Sequence, residues 1–288
     1  MNNCVSRRSF LAATATAATL SVAPAKIARA GQFTGKIKKA VKYGMVQDDM
    51  PIEDKLRMVK DLGYDGIEPQ ASHGKRHLDV TAAEFARAAE KVDLPIHGVI
   101  NSDDPDLRAA IDQAKMYGAS SVLTTLPGMP KQGSYLENYR ETQQILKDVA
   151  PYAEKHEIHV LIENVWNSFL IEPLTMARYV DEIDSPFVQV YFDVGNVVRW
   201  GWPQHWIEVL GKRIVKLDIK EFDLKVAYQK GMLKAFANPL GQGSVEWDKV
   251  RIELAKINFT GWATAEVQGG DKTRLAQIAQ RMDRVLDL

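Results

Sequence analysis

RIVKLDIKEF (residues 213–222) decides the fold. Val215, Leu217 and Ile219 fall on one face of this run, and Lys216, Asp218 and Lys220 on the other. A period of two is the signature of a β-strand. The segment is short, apolar and β-branched, as buried parallel strands are, yet it carries a carboxylate among its apolar positions. Three more runs in the second half of the chain repeat the pattern. HVLIENV (159–165) holds Glu163, VQVYFDVGN (188–196) holds Asp193, and GWATAEVQ (261–268) holds Glu266.

Outward from these four, short apolar runs alternate with longer amphipathic ones. Earlier strands are expected at 41–46, 66–69, 95–101 and 120–127. Helices are expected over 52–62, 82–92, 105–117, 136–155, 173–182, 203–210, 247–257 and 272–285. Eight strand–helix units follow one another without a linker or repeat, which predicts a parallel sheet closed into a single (β/α)8 TIM barrel, an α/β fold. A doubly wound open sheet would call for a Gly-rich phosphate loop after the first strand, and there is none. The long connection 222–246 has the length of a lid or binding loop.

The first 30 residues read differently. SRRSFL (6–11), an Ala/Thr-rich stretch and Ala28-Arg29-Ala30 together resemble a cleavable twin-arginine signal peptide. The expectation is an exported, periplasmic protein whose domain occupies residues 31–288. Cys4, the only cysteine, lies in that leader, so disulfide and thiolate chemistry are excluded from the domain. The whole chain carries 37 basic and 37 acidic residues; without Arg7, Arg8, Lys26 and Arg29 the balance is 33 against 37, or −4. That argues against a nucleic-acid partner, and no apolar run after the leader is long enough for membrane insertion.

Alternate residues of a barrel strand point inward, and the site lies at the strands' C-terminal ends. The count turns Glu163, Asp193, Asp218 and Glu266 inward from strands 5 to 8, and Glu68, His97 and Asn101 inward from strands 2 and 3. Isolated buried carboxylates are too costly to leave ionised. One divalent cation held by oxygen ligands is the most economical shared partner. The competing explanation pairs the acids with Lys216 or Lys220, but two lysines cannot neutralise four acids. His97 is read as a ligand contact or as a structural histidine, and His73 and His77 as loop residues within reach of a ligand. Trp200 and Trp202 have rings suited to stacking on a ligand ring or to covering the barrel mouth.

At this point the chain resembles the sugar isomerase/epimerase branch of the xylose isomerase-like TIM barrels. The resemblance is carried by DLGYDGIE (61–68), IEN (162–164), FDVGN (192–196), GQGSVEW (241–247) and NFTGW (258–262). It implies one divalent metal ion bound by Glu163, Asp193 and Glu266. Asp218 stands where the family's His-x-Lys-Asp motif has histidine, the local sequence being Asp218-Ile219-Lys220-Glu221. An all-carboxylate shell turns preference towards Mn2+ or Mg2+, with Co2+ or Zn2+ as alternatives.

The implied activity is isomerisation or epimerisation of a small carbohydrate through an enediolate. Glu163 and Glu266 are then the acid–base pair and Lys220 a charge beside the oxyanion. Glu68, His97, Asn101, Asn196 and Trp200 are the expected substrate contacts. A keto-sugar lyase or dehydratase, a phosphodiesterase and a non-catalytic exported sugar-binding protein are the other readings. The resemblance also implies a homo-oligomer paired through barrel helices.

Overall fold

The computed structural model describes residues 30–72, 80–102, 104–129 and 132–288. The leader and the residues His73 and His77 therefore lie outside the described residues. Gly31–Leu288 form one unit. Its strands are β1 (Ile37–Lys42), β2 (Gly66–Glu68), β3 (Val99–Ile100), β4 (Ser121–Thr124), β5 (His159–Glu163), β6 (Val188–Asp193), β7 (Ile214–Ile219) and β8 (Gly261–Ala265). They alternate with α1 (Ile52–Asp61), α2 (Ala82–Val92), α3 (Leu107–Met116), α4 (Tyr135–His156), α5 (Pro173–Asp181), α6 (Pro203–Leu210), α8 (Trp247–Lys256) and α9 (Lys272–Leu286). A short α7 (Leu224–Lys230) is inserted after β7. Among the described residues no helix is long and apolar enough to cross a membrane.

All strand pairs are parallel, in the order β2-β1-β8-β7-β6-β5-β4-β3. The two end strands meet through isolated bridges, Ile67 with Ile96 and Gln70 with Ile100, which close the cylinder. The expected TIM barrel is therefore the observed one. Helix starts follow local chemistry. Thr81 and Glu84 form a reciprocal capping box on α2, and Asp106, Ser134 and Asp271 accept backbone N–H bonds at the starts of α3, α4 and α9.

Two apolar layers result. Leu217, Ile219, Val190, Phe192 and Val160 pack outward against the helices. Ile100, Leu123, Leu161 and Tyr191 fill the cylinder itself. Two expectations need correction. The first strand is Ile37–Lys42, not 41–46, because Tyr43–Met45 turn into a 3-10 helix. Val215 does not belong to the outer layer: the ladder shifts register here, pairing Val190 with Ile214 and Tyr191 with Lys216. The skipped Val215 packs against the inner cluster.

Glu221, just beyond β7, is fully buried and organises the long connection. Its carboxylate accepts from the Gly241 N–H at 2.8 Å, the Val245 N–H at 3.2 Å and the Trp247 Nε1–H at 3.1 Å. Gly243 lies so close that a Cβ there would come within 2.5 Å of Glu221 Oε1. This one acceptor explains why the GQGSVEW segment folds back on β7. Glu221→Ala leaves four donors without their acceptor, the Phe222 N–H being the fourth, and should lower stability by about 3 kcal/mol or more. Urea unfolding checks this, and limited proteolysis should find new cleavage within 238–247.

Candidate metal centre

β1, β5, β6, β7 and β8 deliver one polar cluster to the C-terminal mouth of the barrel. One ligand oxygen from each of Glu163, Asp193, Asp218 and Glu266 lies within 4.8 Å of the others. Asp193 and Asp218 are fully buried, Glu163 is buried, and Glu266 keeps 32% of its side chain exposed. The alternation that turned all four inward is thus the one observed, with Glu266 one residue past the end of β8.

Two lysines thread the cluster. Lys42 Nζ lies 2.8 Å from Asp218 Oδ2 and 2.9 Å from Glu266 Oε2. Lys220 Nζ lies 2.8 Å from Asp193 Oδ2 and 3.2 Å from the same Glu266 oxygen. Sequence reasoning anticipated Lys220 and missed Lys42. Lys216, the other lysine considered as a partner, lies deeper and bonds to His97 instead. A strand beginning at Ile37 puts residues 38, 40 and 42 on the inner face, the signal that a start at Val41 concealed.

Asn196 completes the cluster. Its backbone N–H donates to Asp193 Oδ1 at 2.7 Å, and its side-chain amide donates to Glu163 Oε1 at 3.3 Å and to the Asn164 carbonyl at 3.0 Å. Lys220 Nζ donates to Asn196 Oδ1 at 3.3 Å. Asp193 and Asn196 are held as a unit with Asn164, whose Oδ1 accepts from the Asp193 N–H at 2.8 Å.

Burial and crowding set the protonation pattern. Burial works to discharge Lys42, but Asp218, Glu266, Glu163 and Glu68 outweigh it and hold the ammonium well above its ordinary range. Lys220 is raised in the same way, by Asp193 and Glu266 against its burial. Burial and the neighbouring Glu266 push the Glu163 carboxyl up to about 8, and burial raises Asp193 and, further still, Asp218. Glu266 goes the other way: burial would raise it, but Lys42 and Lys220 bring it down to about 2.

The donor set fits a divalent cation. Four carboxylates against two ammonium groups leave two negative charges, which two protons or one M2+ can balance. Among the described residues Asp218 Oδ1 is buried without a geometrically formed hydrogen bond, an oxygen that can coordinate. Only oxygen donors converge here, as hard cations require.

Beneath lies a second polar layer. Tyr191 Oη donates to Glu68 Oε2 at 2.9 Å and shares a 2.7 Å bond with Thr264 Oγ1. Thr264 meets His97 Nε2 at 3.1 Å, and Lys216 Nζ lies 3.0 Å from His97 Nδ1. The His97 ring stacks on Trp262 with centroids 4.5 Å apart. Burial drives His97 well below its usual range, so the ring is neutral, and lowers Lys216 to about 8. Glu68 and His97 were expected to touch substrate; both are consumed by this interior layer, because alternation gives the face of a strand but not the depth.

A cavity of about 850 Å3 opens above the cluster, and Glu163, Asn196, Lys220 and Glu266 reach its surface. Asn101 is buried outside it, its side-chain amide donating to the Asp104 carbonyl at 2.8 Å. Trp200 is 43% exposed with the Arg199 guanidinium 4.1 Å over its ring, and it does not line the cavity. Trp166, which sequence reasoning passed over, does line it. Its Nε1–H donates to the Asn196 carbonyl at 2.7 Å, and its ring packs on Phe222 and Phe236. Its place just after Ile162-Glu163-Asn164 was the available clue.

The chain belongs to the xylose isomerase-like TIM barrel family, whose model matches residues 56–287. No curated protein sequence matches the chain. Similar solved structures include a D-allulose 3-epimerase from Methylomonas sp. in complex with D-allulose: 17% identity, TM-score 0.70, covering 86% of this chain and 96% of that one. A 3-keto-D-glucoside 4-epimerase from E. coli has 16% identity and TM-score 0.66, covering 87% and 99%. A probable 3-DHS dehydratase from Bacillus anthracis has 17% identity and TM-score 0.66, covering 84% and 97%. At these identities the likeness is one of fold.

Two outcomes follow for the metal-free protein. A folded carboxyl raised from the ordinary 4.5 to about 8 holds a proton that the unfolded chain has lost. The Glu163 contribution to stability should therefore fall as pH rises from 4.5 towards 8, and Glu163→Gln should flatten that part of the profile relative to the wild-type protein. Thermal melts across that range, with and without chelator, check it. Lys42→Met, by stranding Asp218 and Glu266, should cost about 3–5 kcal/mol at pH 8 and less at pH 5, where protons can replace the ammonium. Urea titrations at both pH values read the difference.

Proposed function

We infer that this protein is a metal-dependent sugar isomerase or epimerase that moves a proton on a small carbohydrate through an enediolate. The observation that carries the reading is how the carboxylate quartet divides. Asp193 and Asp218 are sealed below, whereas Glu163 and Glu266 open on the cavity. The sealed pair lies out of reach of substrate and, beyond its ion pairs with Lys42 and Lys220, can serve to hold a cation, while the open pair can both hold it and meet substrate.

Glu163, Asp193, Asp218 and Glu266 would hold a divalent ion, Mn2+ or Mg2+ by the chemistry of the donors, and its Lewis acidity would be available to a substrate carbonyl. The chain's own groups do the rest. Glu163 on β5 and Glu266 after β8 approach the cavity from separate strands, so one takes a proton from a substrate carbon and the other returns one. Lys220, held by Asp193, Glu266 and Asn196, places a fixed positive charge where the enediolate oxygen develops. Asn196 keeps the Glu163 carboxylate in place. Trp166 lines the cavity beside the reacting groups and gives a sugar apolar surface to pack against.

Glu163→Gln and Glu266→Gln should each abolish exchange of the substrate's α-proton with solvent deuterium, a loss of at least about a hundredfold. Proton NMR in D2O measures this on a panel of ketoses and keto-sugars. Exchange that persists in both variants rules the assignment out, and exchange accompanied by loss of a leaving group identifies a lyase. The purified protein should also contain about one divalent ion per chain, removable by chelator and measurable by elemental analysis.

A further inference from the structure

One charged side chain at the barrel mouth has no part in the chemistry proposed above. Lys42, the last residue of β1, is buried and is not among the residues that line the cavity. Lys220 does line it, and there it meets Asn196 and the ring of Phe236 as well as the acids. Among the described residues the Lys42 ammonium is paired with carboxylates alone, those of Asp218 and Glu266.

The register of the sheet explains the placement. Val41 pairs with Ala265, so Lys42 emerges level with Glu266, and Asp218 pairs with Thr264 on the other side of β8. β8 therefore stands between Lys42 and Asp218. Neighbouring strands lie roughly 4.8 Å apart, so a side chain from β1 has to cross a whole strand to reach β7. The long apolar stem of lysine makes that crossing while its charged head stays among the acids. Its Nζ ends 2.8 Å from Asp218 Oδ2 and 2.9 Å from Glu266 Oε2.

Both acids also belong to the quartet whose oxygens converge. A cation drawing on that quartet therefore shares Asp218 and Glu266 with a fixed ammonium, in a buried place where charges are poorly screened. Four carboxylates and two ammonium groups leave two negative charges, the complement of one divalent ion. Without Lys42 the excess becomes three, the complement of a trivalent one. Repulsion from the ammonium grows in proportion to the charge of the entering ion, so a trivalent ion is penalised more than a divalent one.

We propose that Lys42 selects the ion by charge: it offsets one carboxylate of the quartet, so that the centre accepts a divalent cation and disfavours a trivalent one. This rests on the metal-binding reading above and adds a determinant of specificity to it. A lysine that merely propped the acids apart would leave the opposite signature. Its loss would disorder the quartet and weaken the hold on every cation alike.

Two variants separate these roles. Lys42→Gln keeps N–H donors towards Asp218 and Glu266 but removes the charge, whereas Lys42→Arg keeps the charge. Mn2+ and Tb3+ are titrated at fixed pH into the wild-type protein and both variants, Mn2+ by the electron paramagnetic resonance of the free ion and Tb3+ by its luminescence. Lys42→Gln should bind Mn2+ at least about tenfold more tightly than wild type. Because the lost repulsion scales with ionic charge, a tenfold gain for Mn2+ corresponds to about thirtyfold for Tb3+. Lys42→Arg should stay within about threefold of wild type for both ions.

Weaker binding of Mn2+ by Lys42→Gln, or equal gains for the two ions, overturns the proposal. If Lys42→Gln folds only with an ion present, refolding titrations with Mn2+ and with Tb3+ supply the same comparison. A Tb3+-over-Mn2+ preference no greater than that of wild type then overturns it too. Wild-type protein that binds neither ion sinks the metal-binding reading and this proposal together. Wild-type binding of one Mn2+ without a gain in Lys42→Gln sinks the proposal alone.

Discussion

Two ammonium groups buried among four carboxylates set the terms for everything at the mouth of this barrel. Neither Lys42 nor Lys220 could remain charged at such depth without the acids, and the acids could not be packed within 4.8 Å of one another without the lysines. A network of this kind does little for net stability, because desolvation offsets most of the attraction. Its effect is on geometry. Glu266, held by both lysines, is pinned at the point where β1, β7 and β8 meet the cavity, and the residual charge matches that of one hard cation. Among the described residues Glu163 makes no ion pair with a lysine and takes its hydrogen bond from Asn196, so the two cavity-facing carboxylates sit in unequal fields.

Much of this was legible in RIVKLDIKEF and its three companions. Strict alternation placed Asp218, Asp193 and Glu163 on the inner face, and eight strand–helix units implied closure. The failures have physical causes. IKKAVK, now β1, carries three lysines in six residues and does not look like a buried strand. Yet Lys39 reaches the carbonyl of Ala279 on α9 and the carboxylate of Asp283, Lys38 lies over Trp262, and Lys42 enters the acid cluster. Each charge found a partner contributed by distant chain, which no local pattern displays. Glu68 and His97 show the complementary limit: their facing was readable, but which layer of the cylinder they fill was not.

Loop residues were least legible. Trp200 attracted attention as an exposed ring, but the ring that lines the cavity is Trp166, whose orientation depends on a bond to the Asn196 carbonyl across two different βα connections. The GQGSVEW segment was recognisable as a motif without a reason. The structure supplies one in Glu221, a buried acceptor for three donors from that segment. A carboxylate next to β7 thus holds a loop in place, while its neighbour Lys220 faces the cavity.

Lys42 and Asp218 stand 176 positions apart along the chain, and Glu266 follows the last strand, which pairs with the first. The centre therefore cannot exist in any partly made version of the molecule. As synthesis proceeds, Glu163, Asp193 and Asp218 emerge with Lys42 already present but undocked. Only when β8 slides in beside β1 do all the charges meet. Contacts so remote in sequence form late and slowly. On the proposed metal-binding reading, an ion could be held here only once the cylinder has shut.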